Sequence, residues 1–340
     1  MAKILQCSDL HFGACRDLPN YLARHRDIKN QITALAIELQ FPLAIIGDLT
    51  HSKTTKHEER FLIDEWLGDL ERYGIETVVT GGNHDYLYDD VTQLDGYTKM
   101  PFKHVRVVPW YPRTYIINDI GFICLPWQGY NTEGIETAVN TLLPQVLGCR
   151  YKVVLLHECI AGSKGNNGYI IPKGTKIPDI PEVTYWGIGD LHSFQPANRA
   201  NAWYAGAPAQ FNFDDDLPKG VIVVDLDRPS QKPEFIPLTV KPLKTVKSVA
   251  EVTEDAYYKV VGSFEEVLEA NFNENVIKSD LEAAESFDDT EYCRTEITEG
   301  LTNFLAAKGI NPEYQEYAIK WVENLLNIHS SEQERPSASA

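Results

Sequence analysis

Seven acidic, amide and imidazole side chains follow short apolar runs, and their types are those that bind divalent metal ions. In chain order they are Asp9, His11, Asp48, Asn83, His157, Asp190 and His192. Each apolar run is typical of a buried strand, and ligands gather outside the carboxyl ends of strands in α/β sheets. We therefore expect these side chains to converge on one pocket that holds a pair of metal ions.

The donor types favour a site for two metals. Asp9 and His11 are two residues apart, so on an extended segment both face the same way and can reach one ion. Asp48 offers two oxygens and can bridge two ions. Mixed nitrogen and oxygen ligands suit Mn²⁺, Fe²⁺ or Zn²⁺ better than Mg²⁺. Two ions about 3.5–4 Å apart would polarise a phosphoryl group, activate a bridging water and stabilise the leaving oxygen.

The third motif also supplies candidates for proton transfer. His84 lies beside Asn83 but elsewhere on the turn, which suits protonation of a leaving oxygen or charge stabilisation at a phosphate. Asp85 is expected to accept a hydrogen bond from His84 and orient its ring. His25 and His57 have no motif context and are expected at the surface.

Residues 3–240 alternate short apolar runs with amphipathic segments, which predicts a layered α/β architecture. Helices are predicted over 20–40, around 62–73 and over 134–147. Strands are predicted at 3–7, 43–47, 76–80, 105–108, 114–118, 121–125, 152–157, 184–189, 202–205 and 220–225. Because strands crowd after residue 100 with few helices between them, we expect two packed sheets with helices outside, an αββα sandwich.

The chain is expected to have four parts. Residues 1–240 form the α/β domain, 241–286 a small α+β unit, 287–329 two amphipathic helices, and 330–340 a disordered tail. Within the first part, 158–182 is rich in Gly and Pro and predicts a long surface loop. Loops of this length often form functional rims.

The formal net charge is −18, and most of it belongs to the C-terminal part. Residues 251–340 hold 20 acidic and 6 basic residues, against 29 and 25 in 1–250. This charge disfavours tight nonspecific binding to a polyanion, although a substrate held by metal ions stays open. The six cysteines form no C-x-x-C pair, and neither a signal peptide nor a membrane-spanning stretch is evident. A cytoplasmic protein without a membrane partner is expected.

Several residues near the motifs allow two interpretations. Trp110 and Trp127 could stack on splayed nucleobases or could simply pack at a rim or in the core. Lys53, Lys56 and Arg60 could contact phosphate or be solvated at a helix start. The apolar faces of the two C-terminal helices could pack on each other or on the small domain, or could bind a partner.

Five motifs in this order resemble the motif set of the calcineurin-like metallophosphoesterases. They are Asp9-x-His11, Gly47-Asp48, Gly82-Asn83-His84-Asp85, His157 and Gly189-Asp190-x-His192. The segment from Gly47 to Lys53 is further similar to the second motif of the SbcD-type DNA repair nucleases. The segments 203–208 and 219–225 resemble the closing strands of those nucleases. Leu125-Pro126-Trp127 and the acidic tail are similar to the bacteriophage recombination nuclease subunit of that family.

The resemblance implies a role for each motif residue. Asp9, His11 and His192 would hold one metal, Asp48 would bridge, and Asn83, His157 and residue 190 would hold the second. His84 would act as the transition-state acid or phosphate contact, and His51 would help to place the DNA backbone. The small domain would cap the site and guide DNA. The C-terminal helices would dock on the coiled-coil base of an SMC-like (SbcC-type) ATPase, and a homodimer is expected.

Asp190 departs from the family pattern, which has histidine at this place. Aspartate can still ligate, but it is shorter, uses oxygen and adds negative charge. The second metal site is therefore expected to be shifted and less attractive to soft metals, or to lose its metal.

The function expected from the sequence is a hydrolase: a metal-dependent DNA exonuclease and endonuclease in recombination or repair. Its cofactors would be two divalent ions, with manganese preferred and magnesium, iron or zinc left open. Two alternatives remain: a stand-alone phosphoesterase on small esters, favoured by the net charge, and a catalytically weak scaffold subunit for the ATPase, suggested by Asp190.

Overall fold

The computed structural model describes residues 2–165, 168–213, 215, 217–271, 273, 275–281, 302, 305, 319 and 320. The chain divides into two compact units, Met1–Glu282 and Ala283–Ala340. Every element named below belongs to the first unit. The predicted C-terminal helices and tail lie outside the described residues, except for positions 302, 305, 319 and 320. Across this described part of the chain, no helix is long and apolar enough to cross a membrane.

The first unit contains four α-helices and seventeen strands in its described residues. The helices are α1 (Tyr21–Leu39), α2 (His57–Arg72), α3 (Thr132–Leu142) and α4 (Phe264–Ala270). The strands are β1 (Lys3–Ser8), β2 (Leu43–Ile46), β3 (Thr77–Thr80), β4 (Tyr86–Tyr88), β5 (Val91–Thr92), β6 (Val105–Val108), β7 (Arg113–Ile117), β8 (Ile120–Leu125), β9 (Tyr151–His157), β10 (Tyr185–Gly189), β11 (Gln195–Pro196), β12 (Ala202–Tyr204), β13 (Gly220–Asp225), β14 (Glu234–Pro237), β15 (Leu243–Val246), β16 (Tyr257–Gly262) and β17 (Val276–Leu281).

Two six-stranded sheets form the main body. The first has the order β14-β13-β1-β2-β3-β6, and the second has the order β11-β12-β10-β9-β8-β7. In the first sheet β1, β2, β3 and β6 are parallel neighbours, and in the second β8, β9, β10 and β12 are. Antiparallel strands flank each parallel core. The carboxyl ends of the central strands therefore point to one edge of each sheet.

Three hydrophobic clusters separate the layers. One packs α1 and α2 on the outer face of the first sheet, and another, containing Ile46 and Leu155, lies between the sheets. The third packs α3 on the outer face of the second sheet, around Ile135 and Val139. The predicted two-sheet sandwich with outer helices is confirmed.

Apolar spacing explains which helix faces are buried. Ile28, Ile32 and Ala36 repeat every four residues on α1 and are buried, as is Trp66 on α2. The Trp66 indole donates to the Thr33 hydroxyl at 2.9 Å, which joins the two helices. Their packing fixes the loops that follow β1 and β2.

Proline explains two departures from the predicted elements. The third predicted helix is α-helical only to Leu142 and continues as a 3-10 helix over Leu143–Val146, because Pro144 cannot donate a backbone hydrogen bond. Neither β14, which ends at Pro237, nor β15, which follows Pro242, was predicted. Proline weakens the sequence signal of a strand, yet both are edge strands, where it is tolerated.

The third sheet has the order β15-β16-β17 and lies after residue 240. The side chain of Gln210 accepts from the Leu243 amide at 2.9 Å and donates to its carbonyl at 3.2 Å. Tyr257 donates to the Pro19 carbonyl at 3.1 Å. These bonds tie the small α+β region to the larger one, and the predicted domain boundary at 240 stays a prediction.

His25 is not at the surface, as expected from the sequence, but only 2% exposed on the inner face of α1. Its Nε2 atom lies 3.3 Å from the Gly13 amide and 3.2 Å from the Ala14 carbonyl. The ring packs against Phe12 at 5.4 Å. Burial lowers the pKa of His25 to about 4 because a desolvated imidazolium is unfavourable.

Acidification should therefore destabilise the protein through His25. The folded pKa is below the unfolded value, so the unfolded chain binds the extra proton between about pH 6.5 and 4. Stability from this group is complete above pH 6.5 and falls by up to roughly 3 kcal/mol as the pH drops to 4. Urea unfolding of the metal-free protein at several pH values measures the slope. His25→Gln should flatten it, whereas His57→Gln, at an exposed position, should not. Equal slopes in both variants would contradict this assignment.

Candidate metal centre

All seven predicted ligands lie at or just after the carboxyl ends of five parallel strands. These strands are β1, β2 and β3 of the first sheet and β9 and β10 of the second. His157 is the last residue of β9, and Asp190 directly follows β10. The two sheets thus bring residues that are more than 180 positions apart into one pocket.

The first ligand group contains Asp9, His11 and His192, whose nearest ligand atoms all lie within 4.8 Å of one another. The Nε2 atoms of His11 and His192 are 3.1 Å apart. Asp48 Oδ2 lies 3.7 Å from His11 Nε2. Two imidazole nitrogens and a carboxylate therefore face one small volume.

The second ligand group contains Asp9, Asp48 and His157, again within 4.8 Å. His157 Nε2 lies 3.4 Å from Asp48 Oδ1 and 3.1 Å from Asn83 Oδ1. Its Nδ1 is 3.0 Å from the Ile46 carbonyl, which can accept its proton. This hydrogen bond leaves Nε2 as the ligand atom, the usual arrangement of a metal-binding histidine.

Asp190 reaches the second group, although the resemblance predicts histidine at this place. Its Oδ1 lies 3.9 Å from His157 Nε2, and its side chain is about a quarter exposed. Its backbone amide donates to the carboxylate of Asp9 at 3.1 Å. Position 190 thus retains an oxygen donor on the pocket side.

Burial dominates the electrostatics of the first group. It raises the pKa of Asp9 to about 7, with the charges of Asp48 and Asp190 adding to the rise. It also lowers the pKa of His11 well below its usual value and the pKa of His192 to about 4. Both histidines are therefore neutral at pH 7, as metal ligation requires.

His157 and Asp48 form an ion pair within the pocket. Burial opposes charge on both side chains, but their mutual attraction raises the pKa of His157 and lowers the pKa of Asp48. A cation at this place would compete with the proton on His157 Nε2. Metal binding should therefore release a proton.

The donor set fits two divalent cations. The two neutral imidazoles of the first group turn their Nε2 atoms towards each other, and buried carboxylates lie beside them. Such a cluster is unfavourable without positive charge, because each buried carboxylate is desolvated. Asp9 and Asp48 each lie near both imidazole sets, so either can be shared between two ions.

Positive φ angles correct the expected geometry of the first motif. β1 ends at Ser8, and Asp9 and His11 have φ angles of 54° and 48°, so the segment is not extended. Hydrogen bonds from the Asp9 amide to Gly47 and from the His11 amide to Asp48, at 3.2 and 2.9 Å, hold this turn against the second motif. Both side chains reach the pocket through that turn.

Asp85 does not orient the His84 ring, contrary to the sequence prediction. His84 Nδ1 lies 2.5 Å from the His51 carbonyl, which is its partner. The buried Asp85 carboxylate instead accepts from the backbone amides of Leu49, Thr50 and Gly82 at 2.8–3.2 Å. Asp85 therefore joins the second and third motif loops and acts on the site through their backbone.

His51 lies beside the other histidines of the pocket. Its ring stacks on His84 at 5.7 Å and meets the His11 ring edge-on at 5.3 Å. The three rings also have nitrogens close enough to hold a cation. His51 Nδ1 is buried without a hydrogen-bond partner. Contact with DNA by His51 stays a prediction.

Two positioning residues were not predicted from the sequence. Lys219, buried and paired with Asp215 at 2.6 Å, donates to the His192 carbonyl at 2.7 Å. Gln93 donates to the Thr50 hydroxyl at 2.8 Å and to the Ser52 carbonyl at 2.9 Å. Lys219 opens a closing-strand motif and could have been found there, whereas Gln93 lies in no motif.

Replacing Gly47 with Ala should abolish the second metal site. Gly47 has φ +71°, and an added Cβ would lie 1.9 Å from His157 Nδ1. The variant should lose metal affinity, measured by calorimetry with Mn²⁺, and about 2 kcal/mol or more of unfolding free energy. Gly68→Ala is the control, since its Cβ meets nothing within 4 Å on α2. Unchanged Mn²⁺ affinity in Gly47→Ala would contradict this placement.

Asp190→His should favour softer metals. An imidazole at position 190 would join that of His157 and replace a charged oxygen donor. Affinity for Zn²⁺ should therefore rise by about 10- to 100-fold. Competition titration against a fluorescent zinc chelator measures the change, with Asp179→His on the exposed loop as control. If affinity is the same in wild type and Asp190→His, residue 190 does not ligate.

The chain was compared with curated proteins, solved structures and models of protein families. No curated protein matches it. Among solved structures, the protein TT1561 of Thermus thermophilus is 13% identical, with a TM-score of 0.43, over 70% of this chain and 99% of that one. AQ665 of Aquifex aeolicus, a protein of unknown function, is 13% identical, with a TM-score of 0.24, over 45% and 78%. Residues 2–174, which contain the ligands from Asp9 to His157, match the family model described as calcineurin-like phosphoesterase. The chain therefore belongs to the calcineurin-like phosphoesterase family.

Proposed function

We propose that this protein is a Mn²⁺-dependent DNA nuclease, with exonuclease and endonuclease activity, that works with an SMC-like ATPase in recombination or repair. Family membership supports the coarser activity, metal-dependent hydrolysis of phosphoesters. The observation that carries the proposal is the pair of ligand groups that share Asp9 and lie against Asp48. The DNA substrate is inferred from the resemblance of the second motif and the closing strands to SbcD-type nucleases.

Each metal would be held by side chains from both sheets. Asp9, His11 and His192 would hold one ion, Asn83, His157 and Asp190 the other, and Asp48 would contact both. When bound, the ions would polarise the phosphoryl group and lower the pKa of the attacking water. Asp85 and Lys219 keep the ligand loops in place through backbone hydrogen bonds.

His84 is the proposed proton donor to the leaving oxygen. Its side chain is 39% exposed, and its Nε2 lies 3.9 Å from Asp48 Oδ2 at the pocket. The His51 carbonyl accepts from Nδ1 and fixes the ring, so Nε2 is the atom available to the substrate. A histidine held in this way can transfer a proton without being a metal ligand.

Basic residues lie in and around the loop that follows His51, although the net charge of the chain is negative. Lys53 and Lys56 are exposed in the loop that follows His51. Arg16 donates to the Thr54 carbonyl at 2.7 Å and pairs with Glu59, and so braces that loop. A phosphate backbone could contact this rim while the metals neutralise the scissile group.

Two partners are proposed. Docking of the two predicted C-terminal helices on the coiled-coil base of the ATPase is inferred from the family resemblance and from the acidic composition of 251–340. A homodimer, through helices of the catalytic domain, is inferred from the family resemblance alone. Co-purification of the full chain with an SMC-like ATPase would test the first proposal. A truncation after residue 286 should lose that association.

Cleavage of DNA should require Mn²⁺ and the pocket. With end-labelled linear DNA, His84→Ala should lower kcat by about 100-fold or more because general acid catalysis is lost. Asp48→Asn should lower both metal binding and cleavage. His57→Ala, at an exposed position outside the pocket, is the control and should match wild type.

Hydrolysis of a small phosphodiester without bases distinguishes the nuclease proposal from the leading alternative. The charge of −18 favours a phosphoesterase on small esters. If wild type hydrolyses methyl p-nitrophenyl phosphate but leaves DNA intact, the nuclease proposal is wrong and the phosphoesterase function holds. DNA cleavage at equal rates in wild type and His84→Ala would remove His84 from the mechanism.

A further inference from the structure

Three aromatic side chains form a cluster beside the metal pocket, which we call the aromatic platform: Tyr86, Trp110 and Trp127. The Tyr86 ring stacks on Trp110 at 5.2 Å with an interplanar angle of 25°. It also contacts Trp127 at 5.7 Å. These separations are those of favourable aromatic pairs, so the three rings support one another as a unit.

The platform is attached to the turn that carries Asn83 and His84. Tyr86 begins β4, two residues after His84. The Trp127 amide donates to the Gly81 carbonyl at 3.0 Å, immediately before Gly82 and Asn83. Trp110 follows β6, which pairs with β3. The rings are therefore positioned by the same backbone as the metal ligand Asn83 and the proton donor His84.

The platform is not part of the core. Its three residues are half-buried, and none belongs to the three hydrophobic clusters of the described residues. Two further tyrosines lie next to it in sequence, Tyr88 and Tyr111, with 62% and 59% of their surface exposed. Partly exposed aromatic rings that lie outside the core and beside the metal pocket are suited to contact with an apolar part of a ligand.

Charges of both signs lie beside the uncharged rings of the platform. Lys53 Nζ lies 5.3 Å from the Tyr86 ring centroid and donates to the Leu87 carbonyl at 3.0 Å. Asp89 and Asp90 follow β4, and Asp90 accepts from the Tyr111 hydroxyl at 2.6 Å. Phosphate is therefore favoured next to Lys53 and disfavoured next to the two acids, whereas an uncharged base can stack on the rings themselves.

We infer that the aromatic platform stacks one unpaired nucleobase of the strand being cut, at a fixed offset from the scissile phosphate. This inference rests on the proposed nuclease function. The phosphate lies at the metals and His84, Lys53 contacts the neighbouring backbone, and the base leaves its helix to lie on Trp110 or Trp127. The substrate segment at the site is consequently single-stranded or frayed.

An abasic scan tests this placement. Single-stranded 12-mers, each with one abasic residue at a different position, are cleaved with Mn²⁺ by wild type, Trp110→Leu, Trp110→Phe and Trp127→Leu. Tyr73→Leu, an exposed aromatic at the end of α2, is the matched control. Thermal unfolding of each variant shows whether it folds.

In wild type, an abasic residue at one offset should slow cleavage of the adjacent bond by about tenfold or more, the scale of base–aromatic stacking. Trp110→Leu or Trp127→Leu should cleave the intact 12-mer at that slow rate and no longer distinguish the abasic one. Trp110→Phe should restore the distinction.

Two results would overturn the inference while leaving the nuclease function intact. Either both leucine variants still distinguish abasic from intact DNA as wild type does, or wild type shows no abasic effect at any offset. If the leucine variants lose cleavage rate equally on intact and abasic 12-mers, the rings only support the fold. If wild type leaves every 12-mer intact but cleaves end-labelled linear DNA, the inference fails and the nuclease function stands. If it cleaves neither substrate, both fail.

Discussion

Several carboxylates buried in one pocket repel each other, and this repulsion is the constraint on which the site depends. Asp9, Asp48 and Asp85 are at most 2% exposed, and positive charge near them comes from His157 and, at Asp9, from Lys219. Desolvation and mutual repulsion raise the pKa of Asp9 to about 7. Divalent cations reduce this conflict, because they add positive charge beside the carboxylates. The pocket therefore stores unfavourable electrostatic energy that metal binding releases.

The fold tolerates this arrangement because the backbone around it is fixed on all sides. Asp9, His11, Asp48 and Asp190 have positive φ angles, which non-glycine residues rarely adopt and which cluster at functional sites. Gly47 and Gly82 let His157 and Asp48 approach so closely that a Cβ on either glycine would overlap them. The Asp85 carboxylate and the Lys219 ammonium then hold the loops by their amides and carbonyls.

The sequence predicted the sandwich and the convergence of the donors because strand ends and side-chain types are local features. It did not predict the turn at Asp9 and His11, since Asp and His are only enriched in the left-handed conformation and adopt the extended one as well. The partner of Asp85 was also missed, because its bonds to Leu49 and Thr50 join segments about 35 positions apart. His25 was misplaced for a similar reason: its burial follows from the packing of α1 on the sheet, whereas the residue alone is polar.

The order of the strands along the chain has a consequence for biosynthesis. β1 supplies the first ligands, but His192 follows β10, and Lys219, which holds His192, precedes β13. β13 in turn pairs with β1 across the first sheet. A nascent polypeptide that ends before His192 lacks both the last imidazole and β13, the strand that pairs with β1. During translation the first ligand group is therefore completed only after most of the domain has left the ribosome.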